Sequence, residues 1–299
     1  MELPVGLVRS DGEGKTAAGA GEVIMKEAIL TKGLTKRYGE KMAVDGVNLT
    51  VFEGELFALL GVNGAGKTTT IRLLSCLSAP TAGTAEVFGH DVQKEPEMVK
   101  RLIGISTQDT AVAENLTVEE NLAFMAGIFC ESGRNRKASG SMKKAEGSSG
   151  RVEGRFEGTF GKSEKSVRER VEEIIGIFHL EEVRKKRAKT LSGGWKRKLS
   201  IAMAIISDPK VLYLDEPTLG LDVLARRELW REIEALKDRM TIILTTHYME
   251  EAEALADRIA IMMEGKIVTV GTLAELEKLT GKKGLENVFV EIAEKGCPA

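Results

Sequence analysis

One short segment constrains this chain more than any other: a glycine-rich turn between a continuously apolar stretch and a helix-forming stretch. Residues 56–60 read Leu-Phe-Ala-Leu-Leu, which is typical of a strand buried on both faces. Residues 61–68 follow with the spacing Gly-x-x-x-x-Gly-Lys-Thr, and residues 67–77 are predicted to form a helix. In such a turn, backbone N–H groups surround phosphate oxygens, and the positive end of the helix points at the same anion. The segment therefore predicts a P-loop that binds a nucleotide.

A second apolar strand, at residues 211–214, ends in two carboxylates, Asp215 and Glu216. Open α/β sheets bind their ligands beyond the carboxyl ends of the strands. We therefore expect Asp215 to hold Mg²⁺ together with the hydroxyl of Thr68, and Glu216 to orient and activate an attacking water. Lys67 is expected to bridge the β- and γ-phosphates. The pair of motifs predicts hydrolysis of the nucleotide as well as binding.

Strand and helix patterns alternate around both motifs. The sequence is strand-like at 28–30 and again at 33–34. Further strands are predicted at 47–51, 241–245 and 259–263, and further helices at 225–237 and 249–256. Because strand–helix–strand alternation produces parallel sheets covered by helices, the predicted fold class is α/β with a mostly parallel core sheet. The sequence between about 115 and 207 is predicted to be mainly helical, so a helical region is expected to interrupt that core.

Residues 131–165 differ in composition from the predicted helices around them. They contain seven Gly, six Ser and fourteen charged residues, and nine Lys or Arg against five Glu give a net charge of +4. A segment of this composition cannot bury enough apolar surface to offset the conformational entropy lost when it becomes ordered. It is predicted to be a solvated loop; a sharper hypothesis is that it contacts anionic lipid head groups or a membrane partner.

The composition of the 299 residues excludes several classes of protein. The formal net charge of −2 gives no sign of nucleic-acid binding, and three separated cysteines (Cys76, Cys130, Cys297) form neither a disulfide pattern nor a metal motif. No apolar run approaches the roughly 20 residues of a transmembrane helix. A cytoplasmic protein is expected, with any membrane part supplied by a partner. Residues 1–24 are predicted to be a disordered extension, and Met25 is a candidate for the true start.

Residues 191–199, Leu-Ser-Gly-Gly-Trp-Lys-Arg-Lys-Leu, distinguish among P-loop families. They resemble the LSGGQ signature of ABC ATPases, and the resemblance covers residues 26–295 apart from the insertion. Ser192, Gly193 and Gly194 precede a predicted helix at 196–207, so a hydroxyl and free N–H groups form a second, smaller anion site. The resemblance implies that this site closes on the γ-phosphate held by a second subunit in a head-to-tail dimer.

Four further residues match motifs of the same family in the expected order. By resemblance, Tyr38 stacks on adenine, Gln108 touches Mg²⁺ and reports to a transmembrane partner, Asp222 lies in a loop crossing the dimer interface, and His247 contacts the γ-phosphate. Taken alone, Tyr38 would be a turn or core residue and His247 a structural histidine. The companion motifs favour the functional interpretation of both.

These expectations define a full candidate site. The resemblance implies that Glu216, His247 and Lys67 are catalytic and that Thr68, Gln108 and Asp215 hold Mg²⁺. ATP is expected to contact Tyr38, Gly61, Val62, Asn63, Gly64, Ala65, Gly66, Lys67, Thr68, Thr69, Gln108, Ser192, Gly193, Gly194, Asp215 and Asp222.

The implied fold is a P-loop NTPase ABC cassette with an antiparallel β part and a helical subdomain. The domain is expected over 25–295, with 25–114 and 208–275 as the core, 115–207 as the helical subdomain, and 276–299 as a helical tail. Trp195 departs from the family pattern, where Gln is usual. The residues after it and the tail at 285–289 resemble the drug- and polysaccharide-exporter branch, although the tail is equally explained as an amphipathic helix packed on the core.

The resemblance implies an ATP-hydrolysing subunit of an ABC transporter, an exporter by its branch. It would pair with a second ABC ATPase subunit and associate with the cytoplasmic face of the membrane through a transmembrane permease subunit. Two alternatives are a soluble ABC ATPase acting on ribosomes or DNA, and a regulatory subunit that binds nucleotide without hydrolysing it. One cassette without a long heptad repeat argues against the first, and the presence of Lys67, Glu216 and His247 argues against the second.

Overall fold

The computed structural model describes residues 26–139 and 166–295. Within these ranges the strands are β1 (Glu27–Tyr38), β2 (Lys41–Phe52), β3 (Leu56–Leu60), β4 (Ala82–Val87), β5 (His90–Asp91), β6 (Ile103–Ser106), β7 (Val211–Asp215), β8 (Thr241–Thr246), β9 (Arg258–Met263) and β10 (Lys266–Gly271). The helices are α1 (Lys67–Leu74), α2 (Pro96–Leu102), α3 (Val118–Ser139), α4 (Val167–Ile177), α5 (Gly193–Ile205), α6 (Val223–Glu234), α7 (Met249–Leu255), α8 (Leu273–Thr280) and α9 (Leu285–Lys295).

The central sheet has six strands in the order β10-β9-β3-β8-β7-β6. Strands β9, β3, β8, β7 and β6 run parallel, and β10 pairs antiparallel with β9 at one edge. The predicted mostly parallel α/β sheet is therefore confirmed. All residues of β3, β7 and β8 are buried, which explains why apolar residues dominate the middle of each strand.

Successive residues of the central strands enter different hydrophobic cores, as the period of two along a strand requires. Leu212, Leu214 and Leu244 pack into the core shared with the helical region, whereas Tyr213 and Ile243 pack into the core beneath a second sheet. The parallel sheet is thus buried between two layers, and its edges and strand ends are left to carry polar groups.

The second sheet has four antiparallel strands in the order β2-β1-β4-β5, which confirms the predicted antiparallel part. Two short strand signals, at 28–30 and 33–34, belong to the single strand β1. Its pairing with β2 is shifted at several positions, and Gly33 has a positive φ of 58°. Such bulges bend a strand, and here they join two apparent strands into one.

Helices α3, α4 and α5 form the helical region and pack against one another. Residues 131–139, expected to be a loop, form the end of α3. The rest of the insertion and the N-terminal extension lie outside the described residues. Helix α5 begins at Gly193 and not at 196 as predicted, because Ser192 already occupies the N-cap position.

Helix α9 buries Leu285, Val288, Phe289 and Ile292 in a core shared with β3 and β9. The tail segment therefore packs as an amphipathic helix on the core, which is one of the two interpretations given to it. Among the helices of the described residues, none is both long and apolar enough to cross a membrane.

Candidate functional site

A cavity of about 420 Å³ lies at the carboxyl edge of the parallel sheet, a size in the range of small-molecule sites. The loops after β3, β6, β7 and β8, which are neighbours in the sheet, all reach it. Its lining consists of Tyr38, Lys41, Ala43, Asn63, Gly64, Ala65, Gly66, Lys67, Thr68, Thr69, Gln108, Glu216, Leu219 and His247.

The turn between β3 and α1 depends on its glycines for steric reasons. Gly64 and Gly66 have positive φ angles of 85° and 109°, which residues with a Cβ rarely adopt. A Cβ added at Gly66 would lie 2.4 Å from the carbonyl oxygen of Ala43, and one at Gly61 would lie 2.3 Å from that of Met262. The predicted helix starts at Lys67, directly after this turn, so its N-terminus faces the cavity.

Lys67 is the buried cation of the cavity. Its ammonium group donates to the carbonyl oxygens of Gly61 at 2.8 Å and Val62 at 3.2 Å. It also forms an ion pair with Glu216, with Nζ and Oε1 3.2 Å apart and both side chains more than nine-tenths buried. An ammonium group has three hydrogens, and these three oxygens use them all.

Glu216 links this lysine to His247, the histidine expected to contact the γ-phosphate. Its second carboxylate oxygen, Oε2, lies 2.6 Å from Nδ1 of His247 in a hydrogen bond. The backbone at Glu216 is in the left-handed region, with a φ of 49°, which is uncommon for residues other than glycine. Lys67, Glu216 and His247 therefore form one continuous chain of polar contacts along the cavity wall.

Asp215 and Thr68 meet beside that chain. Thr68 Oγ1 donates to Asp215 Oδ1 at 3.1 Å, and Thr245 Oγ1 donates to the same oxygen at 2.5 Å. Hydroxyl and carboxylate oxygens are the ligand types that Mg²⁺ prefers, usually one or two from the protein with the rest from phosphates and water. Within the described ranges, no group of three His, Cys, Asp or Glu side chains is gathered to chelate a metal by itself. The donor set fits a Mg²⁺ ion that arrives with a phosphate ligand.

Tyr38 and Gln108 also line the cavity. Tyr38 is 48% exposed, and the ammonium group of Lys36 lies 5.0 Å from its ring centre. Its hydroxyl lies 3.5 Å from that of Ser78. An aromatic ring with an accessible face at the mouth of a phosphate site is able to stack on a base. Gln108 follows β6 and reaches the cavity from the side of the helical region.

The signature residues are placed elsewhere. Neither Ser192, Gly193 and Gly194 nor Asp222 lines the cavity. Ser192 and Gly193 are exposed, and the Ser192 side chain makes no hydrogen bond to the helix it precedes. Asp222 does cap its helix, because its Oδ1 accepts from the N–H groups of Leu224 and Ala225, each at 3.0 Å.

The N-termini of α5 and α6 are neighbours. A Cβ added at Gly194 would lie 3.5 Å from the Cβ of Ala225. Around this point Leu219, Val223 and Leu224 are 42%, 62% and 79% exposed. The signature therefore lies on an outer surface with exposed apolar side chains beside it, and not in the cavity of its own chain.

Three groups of residues near the site were missed by sequence reasoning. Lys41 and Ala43 line the cavity, and no motif marks them. Thr245 was read only as part of a strand. Arg197 was read as one of a basic run, although it lies four residues before the apolar Ile201 on a helix, a spacing that places both on one face. That spacing was the signal that its cation is buried.

Glu251 lies behind the site on α7 and is fully buried. Trp230 Nε1 donates to its Oε1 at 3.1 Å. Burial raises the pKa of Glu251, and the nearby side chains of Thr246 and Thr218 oppose this shift. The hydrogen bond from Trp230 links this carboxyl group on α7 to α6.

The parallel sheet, the glycine turn after β3 and the carboxylate-ended strand β7 two positions away in the sheet define a P-loop nucleotide-binding protein. This class alone does not identify a family, because many P-loop proteins share these elements.

Comparisons with known proteins identify the family. The family model described as ABC transporter matches residues 44–219. The daunorubicin/doxorubicin resistance ATP-binding protein DrrA of Streptomyces peucetius is 42% identical over 259 residues, which cover 86% of this chain and 69% of that protein. The doxorubicin resistance ATP-binding protein DrrA of Mycobacterium tuberculosis is 36% identical, with 90% and 71% covered. A solved structure of an ATP-binding subunit of an ABC transporter superposes with a TM-score of 0.70 at 26% identity, over 89% of this chain and all of that one.

The chain belongs to the ABC transporter family, as one of its ATP-binding subunits. The fold is that of an ABC cassette, as the resemblance of residues 191–199 implied.

Proposed function

We propose that this chain hydrolyses ATP and thereby drives export through a separate transmembrane subunit. The observation that carries the proposal is the contact chain from Lys67 through Glu216 to His247 at the end of the phosphate-binding turn. A cation for phosphate, a carboxylate for water and a histidine for orientation are the groups that phosphoryl transfer to water requires. Their presence in one cavity favours an active ATPase over a subunit that only binds nucleotide.

ATP binding begins with an exchange of partners at Lys67. The phosphates occupy the turn formed by residues 61–69, with the adenine against Tyr38. Phosphate oxygens then replace some of the protein oxygens that hold the ammonium group, namely the carbonyls of Gly61 and Val62 and the carboxylate of Glu216. Because Lys67 has only three hydrogens, each new bond to phosphate replaces one of these contacts. In the proposed cycle the ion pair with Glu216 is among the contacts replaced, which frees the carboxylate for the next step.

Thr68, Asp215 and Gln108 are the residues that would hold Mg²⁺. The ion neutralises charge on the β- and γ-phosphate oxygens when it is bound. Asp215 is fixed for this purpose by Thr245, whose hydroxyl donates to it at 2.5 Å.

Hydrolysis then uses Glu216 as the general base. A water molecule forms a bond to the γ-phosphorus as the bond from that phosphorus to the bridging oxygen of ADP breaks, and Glu216 accepts the proton of the water. His247, hydrogen-bonded to Glu216 Oε2, holds the carboxylate in place and contacts the γ-phosphate. The products are ADP and inorganic phosphate, and the proton passes from Glu216 to solvent.

Two copies of the chain complete each site. Residues 192–194 lie outside their own cavity, with an unbonded serine side chain and a helix N-terminus able to receive an anion. The exposed side chains Leu219, Val223 and Leu224 lie on the same surface and gain burial if a second copy covers it. A head-to-tail dimer brings the signature of one copy onto the γ-phosphate in the other.

The transmembrane partner binds on the side of Gln108 and α3. Phe124, Ile128 and Phe129 on α3 are 60%, 45% and 40% exposed, an apolar surface suited to a partner. Closure of the dimer moves this surface and drives the partner, which places the chain on the cytoplasmic face of the membrane. Export is supported by the relatives named for daunorubicin and doxorubicin resistance.

The test is steady-state ATP hydrolysis by the purified full-length chain with Mg²⁺, with and without vanadate. We expect hydrolysis that saturates with ATP and is blocked by vanadate, which replaces the transferred phosphate. A chain that binds ATP with high affinity but does not hydrolyse it, alone or with its membrane partner, would refute the proposal in favour of a regulatory subunit.

A further inference from the structure

The guanidinium group of Arg197 connects the signature helix to the cavity of its own chain. Arg197 lies in the second turn of α5 and is 4% exposed. It donates five hydrogen bonds, one from Nε and two from each terminal nitrogen, with lengths from 2.6 to 3.1 Å. The five acceptors are the backbone carbonyl oxygens of Thr107, Gln108, Asp215, Glu216 and Pro217.

This arrangement uses the full donor capacity of an arginine. A guanidinium group has five N–H donors in a fixed plane, and here each has a carbonyl partner. No carboxylate is among the five acceptors, and burial lowers the pKa of Arg197. A cation removed from water is costly unless every donor is satisfied, so the geometry of these five carbonyls is closely coupled to the position of Arg197.

The five carbonyls belong to two segments of the proposed hydrolytic machinery. Two come from the loop after β6 that carries Gln108, and three from the last residue of β7 and the turn that follows it with Glu216. Glu216 is in a left-handed conformation, which persists only where the surroundings hold it. Thr245 holds its N–H from one side, and Arg197 holds the carbonyls of Asp215, Glu216 and Pro217 from the other.

We propose that Arg197 is a positioning residue for ATP hydrolysis, which fixes Glu216 and Gln108 relative to the signature helix of the same chain. The inference rests on the proposed function, because it assigns a role in that reaction. A rigid link between α5 and these loops transmits the docking of a signature on a neighbouring γ-phosphate to the carboxylate of the same chain. None of the five bonds of Arg197 reaches the phosphate-binding turn, so its loss should affect turnover far more than ATP binding.

A matched pair of substitutions on α5 tests this role in the full-length chain. Arg197→Met removes the five bonds, and Lys198→Met removes the adjacent buried cation. Lys198 is bonded to Glu232 at 2.7 Å and Glu228 at 3.4 Å, neither of which lines the cavity. Both substitutions remove a buried, paired cation from the same helix, and both are expected to lower the melting temperature.

The two variants should differ in turnover. For Arg197→Met we expect kcat to fall about 100-fold, because a misplaced catalytic group costs roughly that factor, while the Kd for ATP stays within about threefold of the wild type. Lys198→Met should keep both values within about threefold. Arg197→Lys, which retains the charge but has three donors instead of five, should give an intermediate kcat and carries the test if Arg197→Met does not fold.

Three results would overturn the inference: wild-type kcat in the Arg197 variants, equal losses of kcat and ATP affinity in them, or an equal loss of kcat in Lys198→Met. Each would mean that Arg197 has no specific positioning role in turnover. If the wild-type chain itself hydrolyses no ATP, the proposed function fails and this inference fails with it. An active wild type with an active Arg197→Met refutes only the inference.

Discussion

The phosphate-binding turn and the signature are both glycine-containing segments that precede a helix, yet the structure places them very differently. The turn before α1 opens into a cavity, and its lysine is buried and bonded to three oxygens. The signature before α5 lies on the surface, and the side chain of Ser192 makes no bond to the helix that it precedes. One helix N-terminus is surrounded by its own chain, and the other is open to a second molecule.

The difference teaches that the same local chemistry serves two roles, depending on what surrounds it. Both helix N-termini attract anions. The first has Lys67, Asp215 and Glu216 beside it, and in the proposed mechanism it binds the nucleotide that is hydrolysed. The second has exposed apolar side chains beside it, and in the same proposal it completes the site of another chain. The predictions below separate these roles.

The largest effect is expected at Glu216. Glu216→Gln removes the general base but keeps the size of the side chain, and should lower kcat for ATP hydrolysis by about 10²- to 10⁴-fold. ATP should still bind, and the variant should accumulate as an ATP-bound dimer on size-exclusion chromatography. Glu97→Gln, at an exposed glutamate whose ion pair is with Lys100 one helical turn away, is the control and should remain active. A Glu216→Gln variant that stays monomeric at saturating ATP would contradict the proposal that ATP in the phosphate-binding turn brings the signature of a second chain onto it.

A smaller effect is expected at Lys67. Lys67→Ala removes a charge-assisted hydrogen bond to phosphate, worth about 1.5–3 kcal/mol, so the Kd for ATP should rise roughly 10- to 100-fold. Binding can be measured by titration with a fluorescent ATP analogue. Lys210→Ala is the charge-matched control, since Lys210 lies over the ring of Phe88 and does not line the cavity. Unchanged ATP affinity in Lys67→Ala would show that the phosphates do not bind in the phosphate-binding turn, the cradle formed by residues 61–69.

A third comparison uses two helix N-caps. Thr272 accepts a hydrogen bond from the N–H of Glu275 in a capping box, whereas Ser192 makes no such bond. Thr272→Ala should therefore cost about 1 kcal/mol of unfolding free energy and leave hydrolysis unchanged. Ser192→Ala should leave the unfolding free energy unchanged and reduce turnover. Denaturant unfolding and hydrolysis assays on both variants measure the two effects, and the reverse pattern would mean that Ser192 is structural.

The smallest effect is a pH dependence of stability in the helical region that carries the signature. Arg184 and Lys185 lower the pKa of Glu119 from 4.5 to about 2 by hydrogen bonds to its carboxylate. Because the folded pKa is lowered, the stabilisation is present above about pH 4.5 and is lost as the pH falls toward 2. The side chain is 27% exposed, so solvent screening limits the contribution to about 1 kcal/mol or less.

Urea unfolding of the wild type and Glu119→Gln between pH 7 and 3 checks this. The difference in unfolding free energy should be greatest at neutral pH and shrink with acid. A difference that grows with acid would contradict the assigned ion pairs, and a change in ATP affinity would show that this region is not independent of the cradle.

The sequence predicted the cradle well because its information is local. The turn at 61–68 and the strand that ends at Asp215 carry their own spacing, and parallel strands bring their carboxyl ends together. Lys67, Glu216 and His247 were each expected at the site, and the structure brings them into one chain of contacts.

What the sequence did not reveal depends on contacts between distant segments. The five bonds of Arg197 join residues 18 to 90 positions away from it, and no motif encodes them. The start of α5 was placed three residues late, because Gly193 and Gly194 are poor helix formers that are held in the first turn by their position. The union of two short strand signals in β1 likewise depends on pairing with β2 and β4.

The most direct test of the account is whether two inactive chains restore each other. Lys67→Ala disables a cradle, and Gly193→Glu places a negative charge at the signature. A Cβ at Gly193 meets nothing within 4 Å in its own chain, so this second variant should fold normally. In a head-to-tail dimer of the two variants, one site combines the intact cradle of the second with the intact signature of the first.

ATP hydrolysis should therefore reappear when the two inactive variants are mixed, at up to about a quarter of the wild-type rate, since random pairing makes half of the dimers mixed and each has one intact site of two. A chain carrying both substitutions, mixed with either single variant, should stay inactive. If mixing the two single variants restores nothing, or if Gly193→Glu alone keeps full activity, the signature does not serve a second chain and the composite site is wrong.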